Sequence, residues 1–157
     1  MLKSKHFYIL FFAILFCQLP TISLAQEEDS TLFVVDEIQF DLKSKKMLGD
    51  TLAIDLFAIS YEKAPRDFRL NVFASGLVDS TGKVHMLHSI KMDRVMILLS
   101  QRQNYLNYLL QQDTPASIKV RFLPVTDEMK KAKYLKLVFE SLEEEGRFIN
   151  ALILISI

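Results

Sequence analysis

The stretch that decides the fold is FRLNVFASGLVDSTGKVHMLHSIKM, residues 68–92. Apolar side chains alternate with other side chains over residues 68–75, which is the period of a strand with one face against a core. The next segment, DSTGK at 79–83, is typical of a hairpin turn because Gly82 can adopt a positive φ angle. Residues 84–92 then alternate again and predict the return strand. We therefore expect an antiparallel hairpin in the middle of the chain.

Five further segments outside this hairpin predict strands, separated by turn residues. They are residues 33–42, 51–61, 118–122, 134–139 and 148–157. The second of these has apolar side chains at both odd- and even-numbered positions, so both of its faces are apolar, as in a central strand. The last has no charge over residues 151–157, so we expect it to be an inner strand. The alternative is that it pairs with a partner by strand addition.

The stretch at 94–112 is ambiguous. Its leucines fit a helix of period 3.6, and two strands at about 95–99 and 105–110 fit equally well. The neighbouring segments are all β, which favours the strands. Residues 126–133 are polar and have room for one helical turn.

Seven or eight short strands with turns between them predict an all-β fold, an antiparallel β-sandwich with at most one short helix. An immunoglobulin-like arrangement is the leading topology. Strands do not alternate regularly with helices, which argues against a parallel α/β fold. We expect a single domain over residues 32–157, after a flexible lead-in at 26–31.

The first 25 residues have the pattern of a secretory signal peptide. Lys3 and Lys5 precede an unbroken apolar run at 7–16, and small residues stand at the −3 and −1 positions of a cut after Ala25. This order predicts export to the periplasm or the outer membrane, with cleavage near Ala25. There are two alternatives. The leader could stay uncleaved and anchor the protein as its membrane contact, or it could be a lipoprotein signal with Cys17 as the attachment residue.

The charge and cysteine content exclude several classes of function. The chain has 19 basic and 19 acidic residues, and loss of the leader removes two of the lysines. A slightly acidic domain has no electrostatic footprint for nucleic acid. The only cysteine, Cys17, also lies in the leader, so the mature chain has no disulfide, no thiolate nucleophile and no cysteine metal site.

Two patterns that resemble a phosphate loop and a metal site have simpler interpretations. Gly76 and Gly82 are separated by five residues rather than the four of a phosphate loop, and Val84 stands where Ser or Thr would bind magnesium. His85 and His88 are three apart, which on a strand sends them to opposite faces. We expect a buried or half-buried His88 and a surface His85. No cofactor, metal site or catalytic set follows, so the sequence does not predict an enzyme.

The segment around residues 102–108 is the candidate binding surface, since tyrosine offers both an apolar ring and a hydroxyl to a glycan or a protein. Its residues are Arg102, Asn104, Tyr105, Asn107 and Tyr108. The alternative is that the tyrosines pack at the rim of the sandwich while the asparagines turn the chain.

Residues 52–141 resemble small exported β-sandwich proteins of unknown function from Gram-negative bacteria. The resemblance is carried by the two-sided strand at 52–61, the hairpin at 79–83, and the segments 102–106 and 134–140. It implies an immunoglobulin-like envelope protein and no catalytic residues. The function we expect is an exported, non-catalytic module that binds an envelope protein. The alternative is a domain that binds carbohydrate or a small ligand through Tyr105 and Tyr108; the oligomeric state is left open.

Overall fold

The computed structural model describes residues 32–155, which form twelve strands. The strands are β1 (Leu32–Val35), β2 (Ile38–Leu48), β3 (Thr51–Ser60), β4 (Arg66–Asn71), β5 (Gly76–Val78), β6 (Val84–Met86), β7 (Ser89–Met92), β8 (Val95–Leu98), β9 (Tyr105–Leu110), β10 (Ala116–Phe122), β11 (Tyr134–Glu140) and β12 (Phe148–Leu154). A 3₁₀ turn at Leu99–Gln101 and a helix α1 at Asp127–Lys130 complete the secondary structure of these residues. The leader and the lead-in predicted over residues 1–31 lie outside the described residues.

Two antiparallel sheets account for all twelve strands. The first sheet has the order β1-β2-β3-β10-β7-β8, and the second has the order β6-β5-β11-β4-β9 with β12 on the other side of β11. Strands β2-β3-β10-β7 and β12-β11-β4 follow the A-B-E-D and G-F-C orders of an immunoglobulin-type sandwich. The expected all-β antiparallel sandwich is confirmed.

The core lies between the sheets because the strands turn one face of alternating side chains toward each other. Strand β10 shows the pattern clearly, with Ile118 and Val120 buried and Lys119 exposed. The Phe139 ring of the second sheet lies 5.8 Å from the Phe40 ring of the first, measured between centroids. One buried apolar cluster thus joins the two sheets.

The strand predicted over residues 68–75 ends early, at Asn71. A short loop separates it from β5, which continues along the same side of β11. In this loop the Ser75 hydroxyl donates to the Asn71 carbonyl at 2.7 Å and accepts from the backbone N–H of Val138 at 3.0 Å. The serine thereby provides the hydrogen bond that a continuous strand would have made with β11.

The predicted return strand over 84–92 is also two strands, β6 in the second sheet and β7 in the first. The chain crosses between the facing sheets at residues 87–88. Because the two sheets face the core from opposite sides, odd-numbered side chains point to the core before the crossing and even-numbered side chains point to it afterwards. Met86 is therefore exposed and Met92 is buried, although both have even numbers. The expected burial of the histidines was wrong for the same reason, since His85 is 9% exposed and His88 lies on the surface.

The ambiguous stretch at 94–112 forms strands β8 and β9, joined through the 3₁₀ turn. The prediction of two strands is confirmed. Arg102 follows the turn in the left-handed conformation, with φ of 55°. Helix α1 lies inside the polar segment 126–133, where the Thr126 hydroxyl caps it by accepting from the Met129 N–H.

The prediction that the last strand is an inner strand was wrong. Strand β12 pairs only with β11 within residues 32–155, so it lies at an edge of the second sheet. Its side chains still alternate, with Ala151 and Ile153 buried and Leu152 and Leu154 partly exposed. Its apolar character therefore serves the core on one side and the outer face of the sheet on the other.

Candidate functional site

The outer face of the second sheet presents a row of apolar side chains across four strands. The register places Leu154 beside Tyr134, Tyr134 beside Val78, and Val78 beside Val84. All four side chains are at least partly accessible. We name this set the apolar row.

A second row runs beside the apolar row and widens it. The register aligns Leu152, Lys136, Gly76 and Met86. Leu152 is 47% exposed and Met86 is 48% exposed. Lys136 is the single charged residue in the two rows. Together the rows form an accessible, mainly apolar surface, which we name the apolar face.

Gly76 keeps the apolar face flat at its centre. A Cβ atom at this position would lie 2.3 Å from the His85 carbonyl oxygen and 2.9 Å from a Val84 methyl group. No side chain fits there without moving the backbone of β6. The glycine is required because β5 and β6 approach closely, and its φ angle is not in the positive range.

A buried histidine–aspartate pair fastens the hairpin that carries Val84 and Met86. His85 Nε2 lies 2.8 Å from Asp79 Oδ2, and both side chains are buried. The other carboxylate oxygen of Asp79 accepts from the Thr81 hydroxyl at 2.6 Å and from the Lys83 N–H at 3.1 Å. These hydrogen bonds, first the one from Thr81 and then the one from His85, hold the pKa of Asp79 below its usual range.

Sequence reasoning missed this pair, although a signal was available. Asp79 opens a DST segment, and an aspartate at that position accepts hydrogen bonds from the backbone of its own turn. The partner His85 could not be identified because its burial depends on the crossing between sheets. The pair stabilises the hairpin, since the carboxylate oxygens are already engaged by groups of the hairpin itself.

The other end of the same outer face carries a cation–aromatic cluster. The guanidinium carbon of Arg69 lies 4.0 Å from the centre of the Tyr105 ring. The Tyr105 ring stacks on Phe148, with 5.9 Å between centroids and 18° between planes. Arg69 Nη1 also donates to Glu140 Oε2 at 3.2 Å. The N–H of Gly146 donates to Glu140 Oε1 at 2.6 Å. This hydrogen bond, and to a smaller extent the one from Arg69, holds the pKa of Glu140 below its usual value.

A cavity of about 550 Å³ lies beside this cluster, between β4, β9 and the turn after β11. Its lining includes Arg66, Arg69, Asn107, Tyr108, Glu140 and Leu142. The volume is in the range of small-molecule sites. The lining offers an amide, a guanidinium and carboxylates, which together can both donate and accept hydrogen bonds.

Arg66 belongs to a buried ion pair next to this cavity. Its side chain is 1% exposed and donates from Nη2 to Asp36 Oδ2 and from Nη1 to the Asp36 carbonyl oxygen. Asp36 Oδ2 also accepts from the Leu142 N–H at 3.1 Å. The pair thus ties the β1–β2 turn to β4 and to the turn after β11.

The sequence-predicted binding residues do not form one surface. Tyr105 and Asn107 lie on the outer face of β9, whereas Tyr108 points inward, and its hydroxyl donates to Asp93 Oδ2. This hydrogen bond, more than burial, raises the pKa of Tyr108. Arg102 and Asn104 are exposed in the connection before β9, where the Asn104 carbonyl accepts from the Val72 N–H at 2.8 Å. The expectation of a joint Tyr105–Tyr108 surface is corrected, because residues three apart on a strand face opposite ways.

Metal-ligating side chains do not gather in groups of three or more anywhere in residues 32–155. The helices over the same residues are too short and polar to cross a membrane. The chain matches no protein-family model, no curated protein and no solved structure.

Proposed function

We propose that this protein is an exported, non-catalytic module that binds another protein of the cell envelope through the apolar face. The observation that carries the proposal is the accessible apolar surface across β12, β11, β5 and β6. Contiguous apolar patches of this kind mark interaction sites on soluble proteins. The cation–aromatic cluster at the same face adds tyrosine and arginine, the residue types enriched at binding hot spots.

The chemistry of the apolar face specifies the kind of partner. Burial of each partly exposed side chain, such as Met86 or Leu152, contributes about 1 kcal/mol, since a full side chain contributes about 1.5–3 kcal/mol. Lys136 lies among these side chains and would lose its hydration on binding. The partner should therefore present an apolar surface with one carboxylate opposite Lys136.

The test is site-specific photo-crosslinking in the cells that produce the protein, followed by mass spectrometry. A photoreactive residue at Met86 is compared with one at Met96, which is 53% exposed on the first sheet. We expect position 86 to crosslink one defined envelope protein and position 96 to leave it free. With the purified partner, Met86→Glu should weaken binding about tenfold or more, because a buried unpaired charge opposes association.

Met96→Glu is the matched control, because it introduces the same charge at a similar exposure on the opposite sheet. Equal loss of binding for the two variants, or equal crosslinking from both positions, would exclude the apolar face as the binding surface.

The proposed export rests on the leader at residues 1–25. Cell fractionation and the intact mass of the native protein test it directly. A mature chain that begins at Gln26 in the periplasmic or outer-membrane fraction supports the proposal, and a cytoplasmic chain that retains Met1 contradicts it.

A second candidate function is binding of carbohydrate in the cavity beside Arg69. The specific observation is the combination of Asn107, Arg69 and Glu140 in the cavity lining, because these planar polar groups suit the hydroxyls of a sugar. Titration calorimetry against a panel of envelope polysaccharides tests it. Asn107→Ala should abolish any heat of binding, and retention of full affinity by this variant would rule the cavity out.

A further inference from the structure

Strand β12 is the longest edge strand of the described residues, with seven residues. Its sequence, FINALIL, contains no charged residue. Edge strands of soluble proteins are usually protected by charge, proline or a bulge. The pairing of β12 with β11 is continuous from Phe148 to Leu154, so it has no bulge either.

Two hydrogen bonds establish which backbone groups of β12 lie at the open edge. The N–H of Ile155 donates to the Lys133 carbonyl, and the Arg147 carbonyl accepts from the Ser141 N–H, each at 2.8 Å. Because backbone groups of an antiparallel strand point alternately to one side and the other, the odd-numbered residues bond to β11. The N–H and C=O groups at the open edge therefore belong to Phe148, Asn150, Leu152 and Leu154.

The edge at β9, on the other side of the same sheet, differs from β12. The Gln103 side-chain amide donates to the Tyr105 carbonyl at 3.1 Å and so occupies one backbone acceptor there. The Tyr108 hydroxyl connects β9 to Asp93 in the turn after β7. Among the hydrogen bonds formed within residues 32–155, no side chain donates to or accepts from the backbone of β12.

We propose that β12 pairs with β12 of a second copy of this chain, antiparallel and about a two-fold axis at Ala151. In this register Phe148 lies opposite Leu154 of the second copy and Asn150 lies opposite Leu152. Each of these pairs exchanges two backbone hydrogen bonds, because all four residues have their free groups at the edge. An uncharged strand places no like charges opposite each other when it pairs with itself.

The charges beyond the ends of β12 match this two-fold arrangement. The exposed turn before the strand contains Glu143, Glu144 and Glu145, which outnumber its one cation, Arg147, paired with Glu144. Exposed Lys131 and Lys133 lie at the opposite end, just before β11. Rotation about the axis brings the acidic turn of each copy to the lysine end of the other. The two groups are then about two strand spacings apart, roughly 10 Å, which is within one Debye length at 0.1 M salt.

A dimer of this form extends the second sheet through both copies and leaves both apolar faces on the same side. Its interface uses the backbone edge, whereas the proposed binding surface uses the outer side chains. The dimer is therefore independent of the proposed function, and each can fail without the other.

Sedimentation equilibrium of the purified chain over a range of concentrations tests the dimer. One double variant, Glu143→Lys with Glu145→Lys, reverses the acidic turn, and a second, Lys131→Glu with Lys133→Glu, reverses the lysine end. All four side chains are exposed, so both variants should keep the fold. We expect each variant alone to dimerise about tenfold more weakly than the wild type, and an equimolar mixture to form heterodimers with near wild-type affinity.

A backbone test complements the charge test. Leu152→Pro removes an N–H at the open edge without touching the bonds to β11, and Leu152→Ala shortens the same side chain but keeps the N–H. Dimerisation should be lost in the proline variant and retained in the alanine variant. A wild type that stays monomeric at every soluble concentration overturns the proposal, as do charge variants that dimerise like the wild type or two Leu152 variants that behave alike.

Discussion

Replacement of Asp36 by asparagine should destabilise the fold strongly, because it leaves Arg66 as a buried, uncompensated charge. Asparagine keeps the size of the side chain and tolerates the positive φ of 51° at this turn position. The variant therefore removes mainly the charge. The Arg66 guanidinium has little access to water, and its Nε has no hydrogen-bond partner among residues 32–155.

The magnitude follows from the burial of the pair. Loss of one partner of a buried ion pair costs about 3–5 kcal/mol. A domain of this size unfolds with about 5–15 kcal/mol, so the change is a large share of its stability. With a urea m-value of about 2 kcal/mol/M, the unfolding midpoint should fall by about 1.5–2.5 M.

The assay is urea unfolding followed by circular dichroism, with a double variant as the control. Asp36→Asn combined with Arg66→Met replaces the charge with an apolar side chain that can pack against Phe139, whose ring centre lies 5.8 Å from the Arg66 guanidinium carbon. The double variant should recover most of the lost stability. A single Asp36→Asn variant within about 0.5 kcal/mol of the wild type, as for an ordinary surface substitution, would refute the reasoning.

Three further predictions concern the hairpin and the broken strand. Folding lowers the pKa of Asp79, so its contribution to stability is present above the unfolded pKa of about 3.9 and is lost as the pH falls below that value. Thermal unfolding measured at pH 3 and at pH 7 should therefore show that Asp79→Asn loses less stability at the acid pH than the wild type does. Equal losses of stability would contradict the role of this carboxylate. Gly76→Ala should cost about 1–3 kcal/mol in urea unfolding, because the new Cβ would collide with the His85 carbonyl; an unchanged midpoint would show that β6 moves freely. Ser75→Ala should also lower the free energy of unfolding by about 1–3 kcal/mol, since the Val138 N–H loses its acceptor. Native-state hydrogen exchange should then be faster at the Val138 amide. An unchanged exchange rate would mean that another group accepts this hydrogen bond.

Strand positions were accessible to sequence reasoning wherever the burial alternation is local. The segment 118–122 alternates regularly and forms most of β10, and residues 134–137 alternate in the first half of β11. The hairpin turn at 79–83 was equally accessible, because Gly82 adopts a φ of 85° as the turn requires. These features depend on residues close in sequence, so the pattern and the structure agree.

The candidate site was harder to predict, for two different reasons. The opposite orientation of Tyr105 and Tyr108 follows from their spacing and could have been read from the sequence. The apolar face could not, because Tyr134 and Leu154 join the hairpin residues Val78 and Val84 only through the pairing of four strands. From the sequence alone, an apolar residue on a strand is predicted to lie in the core, whichever face of the sheet it occupies.

The sequence by itself determined that this chain forms short antiparallel strands, where most of them lie, and that no cysteine follows residue 17. The tertiary structure alone decided that β12 lies at an edge, that His85 is buried and that Met86 is exposed. The physical reason is that a strand's period of two specifies two faces without saying which one meets the core. That choice depends on which sheet the strand joins, and the crossing at residues 87–88 reverses it within a single run of sequence.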